Sequence, residues 1–218
     1  HVFCNLVCTN NKLLHKMLDN IPYLPYFISA FIGIGLAAAS GFRVFLPMFA
    51  VSLASYTGWI PMNENFQWLA GLPTLITTGI ATVVEILAYY IPYVDHLLDT
   101  ASVPLATIAG SIMFAAQFTD LGTFPTWALA LIAGGGTAAA ISSGFAGTRA
   151  ASTATTGGLG NSVVATTETA GAGMMTFLAL AAPVIAFLVA IALVIVVFIL
   201  GRKIWNKLRG NLKSEETL

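Results

Sequence analysis

Long apolar stretches, separated by short polar breaks, follow one another from Ile21 to Leu200. Apolar runs of roughly 20 residues recur there, and this is the length that an α-helix needs to cross the hydrocarbon core of a bilayer. The predicted helical segments are 24–39, 44–58, 66–91, 104–118, 126–142, 162–181 and 183–200. The pattern therefore predicts an all-α integral membrane protein, built as a polytopic helical bundle.

Composition and charge agree with this class. Hydrophobic residues make up 57% of the chain and charged residues only 8%, which is too little charge for the surface of a soluble domain. Most of the positive charge is crowded into the tail 201–218, at Arg202, Lys203, Lys207, Arg209 and Lys213. The positive-inside rule predicts that this tail is cytoplasmic, and an even number of crossings would place Met17 on the same side.

The first sixteen residues differ from the rest of the chain. They contain both cysteines, Cys4 and Cys8, and no long apolar stretch, whereas Met17 opens an ordinary membrane-protein start. We expect residues 1–16 to be a non-native or disordered extension, and 17–200 to form a single membrane domain. The cysteine pair alone is a weak indication of a metal site.

Two arginines lie in glycine-containing breaks of the apolar sequence. Arg43 ends Ser40-Gly41-Phe42-Arg43, and Arg149 follows Gly144 and Gly147. A guanidinium in apolar surroundings costs several kcal/mol unless it faces protein, water or an anion. We therefore predict broken or re-entrant helices carrying one arginine in each half of a two-fold internal repeat, with halves 24–118 and 126–200. The pattern leaves open whether the repeat is parallel or inverted.

Glu85 and Glu168 are the natural partners of these arginines, because each follows a Val-Val pair in a membrane helix. We expect the four charges to converge near the bilayer midplane, where mutual proximity limits their cost. Such pairs can form a proton-coupled gate or static salt bridges that hold the halves together. The predicted substrate-binding residues are Arg43, Arg149, Ser152, Thr153, Thr155 and Thr156. Alternatively, these hydroxyls bond back to their own helix.

Asp95 and Asp99 are four residues apart and share one face of a helix, with His96 beside them. They are further candidates for gating or proton coupling, and the alternative is a solvated helix end. The sequence has no nucleophile with a nearby base, no set of metal ligands and no phosphate-binding loop. We therefore expect no enzyme activity, no catalytic residue, no cofactor and no metal.

Three long strings, 38–47, 84–100 and 149–161, resemble the bacterial membrane family catalogued as domain of unknown function 4126. The similarity spans roughly 25–200. Because this family carries no settled activity, the resemblance implies a multi-pass protein of the bacterial inner membrane and does not imply a substrate.

The function that we expect is a small secondary transporter or channel-like permease for an anionic or zwitterionic solute, including a lipid headgroup. The alternative is a non-transporting structural or accessory subunit of a membrane complex. The expected partners are membrane lipids and a small anionic solute, with no nucleic acid. The Gly/Ala-rich helix faces favour packing within one protomer, and a homo-oligomer is the second interpretation.

Overall fold

The computed structural model describes residues 24–60, 62, 64–91, 94–118 and 122–215, and in these ranges it contains helices and no strand. The predicted extension 1–16 and Met17 lie outside the described residues. The helices are α1 (Leu24–Phe42), α2 (Phe45–Tyr56), a 3-10 helix (Glu64–Ala70), α3 (Leu72–Ala88), α4 (Val94–Ala115), α5 (Thr123–Thr156), α6 (Asn161–Ala181) and α7 (Pro183–Glu215).

The helices form a multi-pass membrane bundle. Within the described part of the chain, five helices are long and apolar enough to cross a membrane. A sixth is counted when the 3-10 helix and α3, which are bent by 59° relative to each other, form one span. Large apolar side chains such as Leu188 and Phe198 of α7 are exposed on the outside of the bundle, as expected of a surface that faces lipid.

Helix α1 lies at the centre of the bundle and packs against α4, α5, α6 and α7. Its small residues allow this close approach. A Cβ atom added to Gly35 would lie 2.8 Å from Ala179 of α6 and 3.0 Å from Ala186 of α7. A Cβ atom added to Gly41 would lie 2.8 Å from Ile141 of α5. These glycines of α1 therefore allow close helix packing within one protomer.

The chain alternates in direction between two ends of the bundle. We call the end where Arg43 follows α1 the arginine end. Helix α2 turns back from it, since Phe66, which follows α2, packs in one apolar cluster with Ala30 near the start of α1. Helix α3 then returns to the arginine end, where Glu85 contacts the start of α2.

Helix α7 ends at the arginine end. Near its start, Phe187 stacks on Phe31 of α1 with 4.5 Å between ring centroids, and further along Val197 lies against Gly144 of α5. The start of α1 and the basic tail therefore lie at opposite ends of the bundle. The described helices pass between the two ends an odd number of times, because α2 and α3 go out and back. The predicted side of Met17 lies outside the described residues and stays a prediction.

The predicted break before Arg149 is also wrong. Helix α5 runs without interruption from Thr123 to Thr156 and contains one π-helical turn, Ala130–Gly135. A Cβ atom added to Gly144 would lie 2.7 Å from the side chain of Val197. This glycine allows two helices to approach closely, and a transmembrane helix tolerates it because the backbone hydrogen bonds remain intact.

Candidate functional site: a buried arginine cluster

Charged side chains from separate helices meet at the arginine end. We call this group the arginine cluster, and its members are Arg43, Glu85, Tyr89, Asp99, Arg149 and Glu168. Arg43 follows α1, Glu85 and Tyr89 lie at the end of α3, and the others belong to α4, α5 and α6. Arg43, Arg149 and Glu168 lie close together, as the sequence predicted, and Glu85 bonds the backbone that directly follows Arg43.

Arg149 is held by two carboxylates. Its Nη1 donates to Oδ1 of Asp99 at 2.5 Å, and its Nη2 donates to Oε2 of Glu168. The side chains of Arg149 and Glu168 are 3% and 2% exposed, whereas that of Asp99 is 19% exposed. Charge-assisted bonds of this kind are strong, and here one of the two acceptors remains partly open to its surroundings.

Arg43 is bound differently. Its Nη2 donates to the carbonyl oxygen of Ala165 at 2.8 Å and lies 3.6 Å from Oε2 of Glu168. Its Nε and Nη1 are buried and donate no hydrogen bond to any described residue. Glu168 therefore lies between the two guanidinium groups and offsets part of both charges.

Tyr89 joins the two arginines and was missed in the sequence. The Cζ atom of Arg43 lies 4.0 Å from the centroid of its ring, and that of Arg149 lies 3.9 Å from it. Aromatic rings attract cations through their quadrupole, and the attraction is larger in a desolvated site. The only available signal was its position, one helical turn after Glu85 in a helix expected to face an arginine.

Glu85 serves the backbone. Its two oxygens accept hydrogen bonds from the N–H groups of Val44, at 2.9 Å, and Phe45, at 3.1 Å. These donors belong to the start of α2, where helical N–H groups have no partner within the helix and the helix dipole attracts negative charge. Glu85 therefore fixes the turn that follows Arg43.

The predicted hydroxyl lining is not brought to the arginines. Thr155 donates to the carbonyl oxygen of Ala151 at 2.9 Å, and Thr156 donates to that of Ser152 at 2.8 Å, so both bond back to their own helix. Ser152 lies 3.4 Å from the Thr156 hydroxyl. Thr153 accepts a bond from Asn161 at 3.1 Å. The alternative interpretation therefore holds for Thr155 and Thr156, whereas Thr153 is bonded from the start of α6.

The two predicted aspartates have different outcomes. The side chain of Asp95 lies outside the described part of the chain, and so does that of His96. Asp99 is an ion-pair partner of Arg149, so the interpretation as a purely solvated helix end is wrong for it. The reason is that the start of α4 packs beside the last turns of α5.

Two cavities adjoin the cluster. One has a volume of about 10 Å³ and is lined by Tyr89, Asp99, Arg149 and Glu168 among others, which leaves space for about one water molecule. The other is an open groove of about 510 Å³ between the start of α4 and the end of α5. The groove is lined by Asp99, Thr100, Ala146, Ala150, Thr153 and Ala154. Asp99 and Ala146 line both cavities, so the groove leads towards Arg149.

The cluster lies off the centre of the helices. Arg149 is seven residues before the end of α5 and Glu168 seven residues after the start of α6. Each is therefore about 10 Å from one end of its helix, since a helix rises about 1.5 Å per residue. Among the described residues, no group of three His, Cys, Asp or Glu side chains has the arrangement of a metal site.

Residues 30–203 match the model of a protein family described as Domain of unknown function (DUF4126). Searches of curated proteins and of solved structures each gave no significant match.

Proposed function

The chain belongs to the DUF4126 family, whose description names no activity, and from the geometry of the arginine cluster we propose that it is a small secondary transporter or permease for an anionic or zwitterionic solute. In this proposal, Arg149 is the solute-binding residue. Arg43, Glu85 and Tyr89 hold the cluster in shape.

The main observation behind the proposal is the position of Asp99 between Arg149 and the groove. Its carboxylate bonds Arg149 inside the protein and also lines the open groove of about 510 Å³. A pocket of this size is typical for a small ligand, and it ends on a buried charged pair. A charged pair at the end of a path from the surface is the usual mark of a solute or proton pathway in a membrane protein.

The charges of the cluster could couple the binding of an anion to the protonation of a carboxylate. Arg43 and Arg149 are matched by Asp99 and Glu168, and Glu85 is matched by the start of α2. An anion that approaches Arg149 must therefore displace a carboxylate or arrive after that carboxylate has taken up a proton. The site as described would be the closed state, in which internal carboxylates occupy the anion position.

The proposal includes an orientation. Arg202 and Lys203 are the last residues of the candidate span in α7, at the arginine end. The positive-inside rule places this end in the cytoplasm, and with it the mouth of the groove. The resemblance to a bacterial family further implies the inner membrane. Cysteine labelling from outside tests this orientation once Cys4 and Cys8 are replaced by serine, because Tyr26→Cys in α1 should then react in intact cells and Arg202→Cys should not.

The proposal also keeps the two-fold internal repeat in a reduced form. The supporting observation is that Arg43 and Arg149 contact the same carboxylate and the same ring from different halves of the chain. The short helix α2, paired with α3, would be the re-entrant element of the first half. If Tyr56→Cys reacts from the same side as Arg202→Cys, then α2 does not return towards the start of α1 and this part of the proposal fails.

Flux through proteoliposomes tests the transport activity. Vesicles containing a pH-sensitive dye receive inward gradients of chloride, phosphate, acetate, glutamate or glycine, and we expect at least one solute to move faster than in empty vesicles. Arg149→Ala should abolish this flux, whereas Arg202→Ala, an exposed arginine at the same end, should retain it. A folded wild-type protein that moves none of these solutes would overturn the proposal.

One observation favours the accessory-subunit alternative. The inner cavity of about 10 Å³ admits no solute, and the carboxylates around it pair with the arginines, as a fixed structural core would require. In that case, loss of Arg149 should lower stability, and loss of Glu168 together with Arg149 should recover much of it.

A further inference from the structure

Arg149 has one deep and one accessible partner. Glu168 is 2% exposed and also lies 3.6 Å from Arg43, so removing it would leave two buried cations without their shared carboxylate. Asp99 is 19% exposed and faces the groove. Any exchange of partners at Arg149 therefore takes place at Nη1, where Asp99 is bound.

The groove limits what can take the place of Asp99. The inner cavity has space for about one water molecule, so the body of a ligand must remain in the groove while its charged group reaches Nη1. Ala146, Ala150 and Ala154 form a stripe along one side of α5, since they are four residues apart. Thr100 and Thr153 provide the hydroxyls. This wall fits a narrow apolar body.

We propose that Asp99 occupies the position of a ligand's carboxylate, and that the groove binds carboxylates with a narrow apolar body, whose carboxylate replaces that of Asp99 on Arg149. This inference rests on the proposed function, because it names the solute class of the same site. The position that Asp99 occupies is already shaped for a planar carboxylate, since guanidinium N–H groups match that geometry.

The same chemistry can reach the groove from two sources. A water-soluble acid would enter from the end of the bundle, and a long-chain fatty acid would enter from the bilayer with its chain between α4 and α5. Butyrate and dodecanoate represent these two sources. Binding of either supports a carboxylate site, and the tighter of the two identifies the source.

Equilibrium binding to the purified full chain in detergent tests the inference. We expect Asp99→Asn to bind butyrate or dodecanoate at least about tenfold more tightly than the wild type, because the internal competitor is removed. Glu64→Gln, which removes one negative charge from an exposed position in the 3-10 helix, should leave the affinity unchanged. Butanol, which has a similar body and no charge, should not bind to either variant.

A second variant tests the groove without touching the ion pair. Ala150→Leu should fold normally, because Ala150 is exposed. Its larger side chain should narrow the groove and so weaken carboxylate binding. Unchanged or weaker binding in Asp99→Asn, or tighter binding of phosphate than of both acids, would overturn the inference. Flux of another solute would then leave the proposed function standing, whereas carboxylate binding without any flux would leave the inference standing and remove transport.

Discussion

Arg43 and Arg149 share one carboxylate and one aromatic ring, yet the chain presents them in different ways. Arg43 lies just beyond the end of α1, at a turn fixed by Glu85, and it lines neither of the two cavities described. Arg149 projects from a continuous helix, seven residues before its end, and lines the inner cavity next to the groove. The comparison separates an arginine that is enclosed by backbone and protein from an arginine that lines a small cavity beside an open groove.

The largest decrease in the free energy of unfolding should follow the loss of Arg43. Arg43→Met removes the cation next to Ala165 and Glu168 in a fully enclosed site, and we expect a loss of about 3–5 kcal/mol in the free energy of unfolding. Arg149→Met should lower the free energy of unfolding by less. Glu168 would still lie next to Arg43, and Asp99 could turn towards the groove. Unfolding in mixed micelles with increasing SDS measures both, and equal losses would erase the proposed difference between the two arginines.

A smaller effect should come from the turn that follows Arg43. Glu85→Ala leaves the buried N–H groups of Val44 and Phe45 without their acceptor, and we expect a loss of about 1–3 kcal/mol. Glu85→Gln keeps one side-chain oxygen and should cost less than Glu85→Ala. If the two variants unfold alike in the same SDS titration, Glu85 does not act through these backbone bonds.

The coupling between Arg149 and its carboxylates should be next in size. In a double-mutant cycle with alanine, we expect Arg149 and Glu168 to couple by about 0.5–3 kcal/mol. Arg149 and Asp99 should couple less, since Asp99 is the more exposed partner and solvent weakens its attraction. The reverse order would mean that Asp99, and not Glu168, is the fixed partner.

The smallest effect should come from the ring between the arginines. Tyr89→Leu removes the aromatic face from both guanidinium groups, and we expect a loss of about 0.5–2 kcal/mol, the range of a cation–π contact. Tyr89→Phe keeps that face and serves as the matched control. Equal stability of Tyr89→Leu and the wild type would show that the ring only fills space.

The sequence predicted those parts of the molecule that follow from the cost of charge in an apolar medium. The membrane class follows from the long apolar runs, and the meeting of Arg43, Arg149, Glu85 and Glu168 follows because isolated charges there are too costly. The local backbone at Gly144 could not be predicted, because a glycine can mark either a break or a close contact. At Gly144 it marks a close contact, with the side chain of Val197 from a helix that is distant in the sequence.

The contacts of Asp99 and Tyr89 with Arg149 could not be predicted from the sequence, for a related reason. Both belong to positions near helix ends, where an acid or a tyrosine is ordinary at a membrane interface. Their contacts with Arg149 depend on how α3, α4 and α5 end beside one another, and no local pattern encodes that arrangement. Glu85 bonds backbone N–H groups whereas Glu168 lies between the arginines, and this difference could not be predicted either, since both glutamates follow a Val-Val pair.

The central place of α1 has a consequence for biosynthesis. This helix emerges from the ribosome before the other described helices, but Arg43 is separated by 122 positions from Ala165, which accepts its hydrogen bond. At about 5–20 residues per second, roughly 6–24 s pass before that partner has been made. During this interval α1 lacks α6 and α7, which pack against its Gly35, and its arginine must remain at the membrane surface or be shielded by the insertion machinery. Chains released before α6 is complete would therefore present a recognisable defect to membrane quality control.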